Sequence, residues 1–180
     1  MTPEEFTDFY AGSFRRLAGQ LYVMTGDHAE AHDAVQEAFV RAWAHREKLN
    51  TQSAPEAWVR AAAWRIAMSR WNRARLGSLL MRSHPQPQTA DGPTPDRVAL
   101  IQALRKVPAA QRRAIVLYYL CDLTVAQIAA ETGVPEGTVK ARLARGRAAL
   151  VPHLREPAGH GSSRGRRDGD GQDGQQVGDV

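Results

Sequence analysis

The sequence predicts an all-α protein: two small helical domains joined by a flexible linker, the second of them a helix-turn-helix domain. Three observations carry this. Apolar residues recur at spacings of three and four through most of the chain, while runs of β-branched residues are scarce. The periodicity fails over residues 77–97, where Pro85, Pro87, Pro93 and Pro95 break regular structure, and it resumes near Val98. Residues 124–147, TVAQIAAETGVPEGTVKARLARGR, then show two short helical patterns hinged at a glycine. The expected division is a first domain over 1–76, a proline-rich linker over 77–97, a second domain over 98–156 and a disordered tail over 157–180.

Taken in order, Thr2-Pro3-Glu4-Glu5 opens a helix: a hydroxyl cap, proline in the first turn, and acids at the positive end of the helix dipole. Phe6, Phe9, Tyr10, Phe14, Leu17 and Leu21 form its apolar stripe. Gly26-Asp27 breaks and restarts the chain. Ala31, Ala34, Val35, Ala38, Phe39, Ala42 and Trp43 then line one face of a second helix, with small alanines permitting close approach and Phe39 and Trp43 expected in the core. Asp33, Gln36, Glu37 and Arg41 lie elsewhere on its surface. A turn over residues 50–55 leads to a third helix of about residues 56–73. Trp58, Trp64 and Trp71 sit there beside Arg60, Arg65, Arg70, Arg73 and Arg75, with no acid between the arginines. Two or three of these tryptophans are core candidates. So much aromatic surface beside so much arginine also suits single-stranded or melting DNA, with guanidinium groups on phosphates and a ring stacked on a base. A solvated basic face explains the same residues in the bland alternative.

The second domain begins with a short helix through Leu100, Ile101, Leu104 and Val107, stopped at Pro108. Ile115, Val116, Tyr119 and Leu120 mark the next. Thr124 is placed to cap a helix containing Val125, Ile128 and Ala129, Gly133 makes the turn, and Pro135 or Glu136 starts the last helix through Val139, Leu143 and Leu150. Ile128 and Val139 are expected to point inward. Glu136, Gly137, Thr138 and Lys140 stand at the leading end, where side chains and backbone N–H groups reach base edges or nearby phosphates. Arg142, Arg145 and Arg147 suit phosphate positioning, and Arg112 and Arg113 could clamp the backbone on the flank.

Charge agrees with this division. The whole chain carries 24 basic and 19 acidic residues, a formal charge of +5. Residues 1–76 hold ten basic and nine acidic, whereas 100–156 hold nine and four, so the second domain is built to meet a polyanion. Cys121 is the only cysteine and its neighbours are apolar, which excludes an intrachain disulfide and makes it a packing residue. The six histidines form no tight ligand motif, and neither a phosphate loop nor a nucleophile constellation occurs, so the sequence nominates no catalytic residue, cofactor or metal. The N-terminal segment shows no basic region followed by an apolar run, and no stretch reaches the length of a membrane helix; a cytoplasmic protein is expected.

Two blocks in this order across a proline-rich linker resemble the extracytoplasmic-function (ECF) group of sigma-70 family sigma factors. Residues 26–43, including Asp33-Ala34-Val35-Gln36-Glu37-Ala38-Phe39-Val40-Arg41-Ala42-Trp43, are similar to region 2 of that family, and residues 104–150 to region 4. The resemblance spans about residues 5–155. It implies a subunit that binds RNA polymerase core, directs it to specific promoters and assists strand opening, without catalysis of its own. It implies that Asp33, Gln36, Glu37 and Arg41 bind the clamp helices of the polymerase β′ subunit. It further implies that Trp58, Arg60, Trp64, Arg65, Ser69, Trp71, Asn72 and Arg73, with residues 50–53, open and hold the −10 element, while the Lys140 helix reads the −35 element as duplex. The linker would run toward the RNA exit path, and an anti-sigma factor is an implied partner. Arg65 and Ser69 stand where many members carry Asn and Asp, which implies an altered promoter preference. The rival reading is a two-domain DNA-binding regulator that binds duplex DNA without polymerase; a helical scaffold leaves the basic face without a purpose.

Overall fold

The computed structural model describes residues 1–49, 54–77 and 95–155. The expected loop at residues 50–53, most of the linker and the tail at 157–180 lie outside the described residues. Within them the regular structure is α-helical: α1 (Pro3–Thr25), α2 (His28–Ala44), α3 (Arg46–Leu49), α4 (Pro55–Gly77), α5 (Pro95–Arg105), α6 (Ala109–Tyr119), α7 (Val125–Thr132) and α8 (Glu136–Arg155). They form two helical subdomains, α1–α4 and α5–α8.

Local chemistry sets the element boundaries. Thr2 and Glu5 form a reciprocal capping box, with Thr2 N–H donating to the Glu5 carboxylate at 2.8 Å and Glu5 N–H donating to Thr2 Oγ1 at 3.2 Å. Gly26 ends α1 at φ 77°, a left-handed conformation that costs a side-chain-bearing residue about 1–2 kcal/mol. Asp27 then caps α2 by accepting from Glu30 N–H at 3.0 Å. The same devices recur in the second subdomain. Thr124 and Gln127 form a capping box at the start of α7, and Gly133 closes α7 at φ 70°.

The first subdomain is organised around Phe39. Its ring contacts Phe6, Phe9, Tyr10 and Phe14 of α1, with centroids 4.9–6.2 Å apart in tilted or edge-on geometry. Ala31, Ala34, Ala38 and Ala42 are buried along α2 and bring it against α1 and α4. Trp43 departs from the expected core position: it is 41% exposed, its ring edge-on to Phe6 and covered by the Arg46 guanidinium at 4.5 Å. α2 ends at Ala44, so Trp43 lies on its last turn, beyond the alanine seam.

The second subdomain packs α6 and α7 on α8 through Ile115, Val116, Leu117, Ile128, Val139 and Leu143. Tyr119 and Leu120, at the end of α6, are more than half exposed. They line an apolar groove of about 700 Å³ that also borders Val23 of α1 and Leu100, Ile101 and Leu104. The two subdomains touch, α1 meeting α5 and α6 while α4 meets α7. Among the described residues no helix is long and apolar enough to cross a membrane, and the expectation of a cytoplasmic location is narrowed to that statement.

Candidate polymerase and nucleic-acid interfaces

Three surfaces gather the residues singled out from sequence. On α2, Asp33, Gln36 and Arg41 are exposed and Glu37 half-buried, all away from the alanine seam. Glu37 is bonded on one side by Arg41, one turn on, and on the other by Arg70 of α4, which also reaches Glu30 at 3.4 Å. The hydrogen bond from Arg41, helped by Arg70, holds the Glu37 carboxyl below the usual glutamate range. Burial pushes Glu30 the other way, above that range, despite Arg70. Arg70 therefore fixes the carboxylate at the centre of the α2 surface from behind, leaving Asp33 and Gln36 to the outside.

The residues of α4 divide into two groups. Toward its C-terminal end Arg65, Ser69, Trp71, Asn72 and Arg73 are exposed, with Trp71 at 50%. Arg65 folds back so that its Nε donates to the Ala61 carbonyl at 3.1 Å. Toward the N-terminal end the helix is enclosed. Trp58 is half-buried with its ring 6.3 Å from that of His45, and Arg60 and Trp64 are buried. Arg60 donates to Glu131 of α7, with Nη2 2.6 Å from Oε2, and its Nη1 lies 3.4 Å from Gln20 Oε1. Burial lowers the Arg60 pKa, but bonding to Glu131 outweighs it and the net shift is upward.

The third surface is α8. The turn at Gly133 and the apolar contact of Ile128 with the module core set the α7–α8 corner, and Val139 and Leu143 hold α8 by its inner face. Glu136, Gly137, Lys140, Arg145 and Arg147 are left exposed, with Thr138 and Arg142 at the margin. Arg147 Nη1 donates to Tyr119 Oη at 3.2 Å and Arg145 Nε to the Ala141 carbonyl at 3.3 Å, which orders both along the helix. This is a continuous basic face on one helix of a helix-turn-helix.

Arg112 and Arg113 do not join that face. Arg112 is 9% exposed and its Nη1 is 3.4 Å from the Leu104 carbonyl oxygen; burial, with Arg105 nearby, lowers its pKa. Arg113 lies over the Trp64 ring at 5.1 Å with its Nη2 3.6 Å from Glu131 Oε1, and burial pushes its pKa down to about 10. The expected flank clamp thus points into the protein in this arrangement, because both side chains are taken up by packing beneath α6.

Residues 10–76 match the family Sigma-70 region 2, and residues 97–150 match Sigma-70, region 4. Over 127 residues the chain is 35% identical to the ECF RNA polymerase sigma factor SigL of Mycobacterium tuberculosis, covering 67% of this chain and 72% of that protein. The chain belongs to the ECF sigma factors of the sigma-70 family. A second relative, the ECF RNA polymerase sigma factor SigW of Bacillus subtilis, is 28% identical over 169 residues, 84% of this chain and 88% of that one. The fold is similar to that of the sigma factor RpoE in its complex with the anti-sigma factor NepR from Bartonella quintana. That likeness has a TM-score of 0.71 at 24% identity and covers 84% of this chain and 97% of that chain. It is also similar to CnrH in complex with the cytosolic domain of CnrY, with a TM-score of 0.59 at 20% identity, covering 85% and 89%.

As a sigma factor this protein directs RNA polymerase to promoters and is not itself an enzyme. One residue of consequence escaped the sequence reading. Glu131 is the only charged residue between Leu123 and Pro135, and that isolation was the available signal.

Proposed function

We propose that the three surfaces divide the work of initiation. Asp33, Gln36, Glu37 and Arg41 dock on the clamp helices of the polymerase β′ subunit, with residues 1–76 as the module that carries this contact. Trp58, Arg60, Trp64, Arg65, Ser69, Trp71, Asn72 and Arg73 hold the opened −10 element: the half-exposed Trp71 offers a stacking face, worth about 1–3 kcal/mol per base, beside guanidinium groups for phosphates. Glu136, Gly137, Thr138 and Lys140 enter the −35 major groove while Arg142, Arg145 and Arg147 seat on its phosphates. Arg112 and Arg113 serve that duplex only where the subdomain contact releases them. The connection over residues 77–97 lets modules 1–76 and 98–156 reach separate elements of one promoter. Strand opening follows from binding the melted form more tightly than the duplex.

The observation that carries this reading is the basic, outward face of α8 on a buried Ile128–Val139 corner, in one chain with an α2 surface whose polar residues avoid the core. One of the solved neighbours is a sigma factor in complex with an anti-sigma factor, and we extend an anti-sigma partner to this chain on that likeness. The test is core-polymerase binding followed by promoter opening on a DNA library with the same preparation. Selective opening supports the assignment; duplex binding without association to core assigns the chain to the conventional regulators instead.

A further inference from the structure

A cavity of about 590 Å³ lies where the α1–α2 corner, α4 and the α5–α6 junction meet, a size suited to a small-molecule ligand. Its walls differ in chemistry. Ala67, Met68 and Trp71 of α4 supply an apolar, aromatic side, with half of the Trp71 surface exposed. Arg105, Ala109 and Arg112 supply a cationic one. Arg105 crosses Gly26 so closely that a Cβ there would lie 2.7 Å from its Cγ and Cδ, which fixes the arginine against the α1–α2 corner. Arg112 is 9% exposed, its Nη1 is 3.4 Å from the Leu104 carbonyl oxygen, and its Nε is buried without a hydrogen-bond partner among the described residues. Among those residues no carboxylate pairs with Arg105 or Arg112, whereas Arg70 in the same lining is taken up by Glu30 and Glu37. A buried cation without a counter-ion is costly, and a second guanidinium beside it adds to the cost. The N-terminus of α6 opens on the same side. Pro108 gives it no side-chain cap and its first turn holds no acid, so unpaired N–H groups add positive potential at Ala109.

We propose that this cavity binds a free purine nucleotide, its phosphates held by Arg105, Arg112 and the α6 N-terminus and its base laid against Trp71. Phosphate supplies the counter-charge that the chain itself withholds from the two arginines, in the geometry that guanidinium groups and helix N-termini both favour. The indole gives a flat apolar face for a flat ring. Asp27 and Glu30 also line the cavity, but they do not cancel the cationic side: Asp27 caps α2 and Glu30 is bonded by Arg70. Their remaining lone pairs can accept from ribose hydroxyls or an exocyclic amine. An inorganic anion would satisfy the arginines and leave the aromatic side empty, and an apolar ligand would leave Arg112 without a counter-ion. The two sides together select a ligand that carries both a ring system and phosphate. The inference concerns a small molecule and stands apart from the DNA roles proposed above.

The deciding experiment is calorimetric titration of the full chain with ADP and with GDP, and with pyrophosphate as the phosphate fragment alone. One-to-one binding of at least one nucleotide is expected, about tenfold or more tighter than pyrophosphate, because the base contact adds to the ionic one. Arg105→Gln and Arg112→Met should each weaken it about tenfold or more, after circular dichroism has shown helix content equal to wild type. Lys106→Gln removes the same charge from an exposed neighbour outside the lining and should leave the affinity within about twofold. Trp71→Ala should weaken nucleotide binding about fivefold or more and leave pyrophosphate binding unchanged. Arg112→Met carries a second readout that a structural arginine would not give. Since it removes a buried cation that lacks a counter-ion, its melting temperature without nucleotide should equal or exceed that of wild type. Absence of saturable binding by either nucleotide overturns the proposal, and so does an equal loss in Lys106→Gln, which would reduce the effect to diffuse charge. Pyrophosphate binding as tightly as the nucleotides overturns the assignment of a base to Trp71. A melting temperature of Arg112→Met well below wild type assigns Arg112 to the fold and overturns its role as a ligand-binding residue.

Discussion

Glu37 and Arg70 show how single residues tie the fold to the docking surface. Glu37 is held below the ordinary glutamate range by the hydrogen bond from Arg41 and then by Arg70, so its stabilising contribution is present above the unfolded-state pKa and is lost as pH falls through the folded one. Glu30, raised by burial, has the opposite sign: the folded state takes up its proton first, and stability falls as pH rises through that window. The two oppose each other, so the α2–α4 contact should depend only weakly on acid pH. Arg70→Gln should break this balance, raising both carboxyl pKa values and Glu30 the more, since Arg41 still serves Glu37. Carboxyl carbon shifts followed by NMR from pH 3 to pH 8 check this over a range of about 5 units; unmoved titrations would show that Arg70 does not set them. Gly146 is a second residue with a defined role. A Cβ there would lie 2.8 Å from Ile115 Cδ1 and 3.3 Å from Gln111 Cβ, so an alanine fits only if the Ile115 side chain shifts in the buried α6–α8 seam. Gly146→Ala should destabilise the second subdomain by about 1–3 kcal/mol in urea denaturation.

At the scale of elements, α7 is short and depends on its caps. Thr124→Ala removes the acceptor for Gln127 N–H and should cost about 1 kcal/mol, with weaker binding to −35 duplex as α8 loses its support. On α8, replacing Arg145 with alanine should lower duplex affinity and reduce the dependence of log affinity on log salt by about 1, read from titrations at several salt concentrations. An unchanged salt slope would place Arg145 away from phosphate. Elements of this kind were legible in the sequence because their signals are local. The Thr2 and Thr124 caps, the Gly26 and Gly133 stops and the apolar stripes of α1 and α2 each lie within a few residues of the effect they produce. Trp43 was read inward and is found outward because periodicity identifies a face but not how far the neighbouring helix extends along it. The C-terminal half of α4 was readable as an exposed basic and aromatic surface. Its N-terminal half was not, since nothing in residues 55–64 announces a second partner arriving from residue 131.

The whole molecule is where sequence reasoning stops soonest. Two modules and a linker are visible from composition, but the contact between them depends on pairs such as Arg60 and Glu131 that no local pattern joins. The guanidinium of Arg113 lies over Trp64 of the first subdomain, and Arg112 is buried beside the Leu104 carbonyl of its own: a basic pair on a predicted helix carries no mark of which side its neighbours will cover. In the proposed roles polymerase binding uses α2 and promoter reading uses α8, whereas the subdomains meet through α1 and α4 on one side and α5, α6 and α7 on the other. The surface of α2 should therefore function independently of that contact, and the combined loss of Asp33, Gln36 and Glu37 should weaken core binding by about tenfold or more while leaving −35 duplex binding intact.

Promoter opening by reconstituted holoenzyme on a randomised promoter library, read by single-strand-specific footprinting, separates a sigma factor from a conventional DNA-binding regulator. Selective melting is expected at one −10 sequence placed downstream of a preferred −35 duplex, lost when α8 carries Lys140→Ala with Arg142→Ala. Core association without selective melting, or duplex binding without core association, would contradict it.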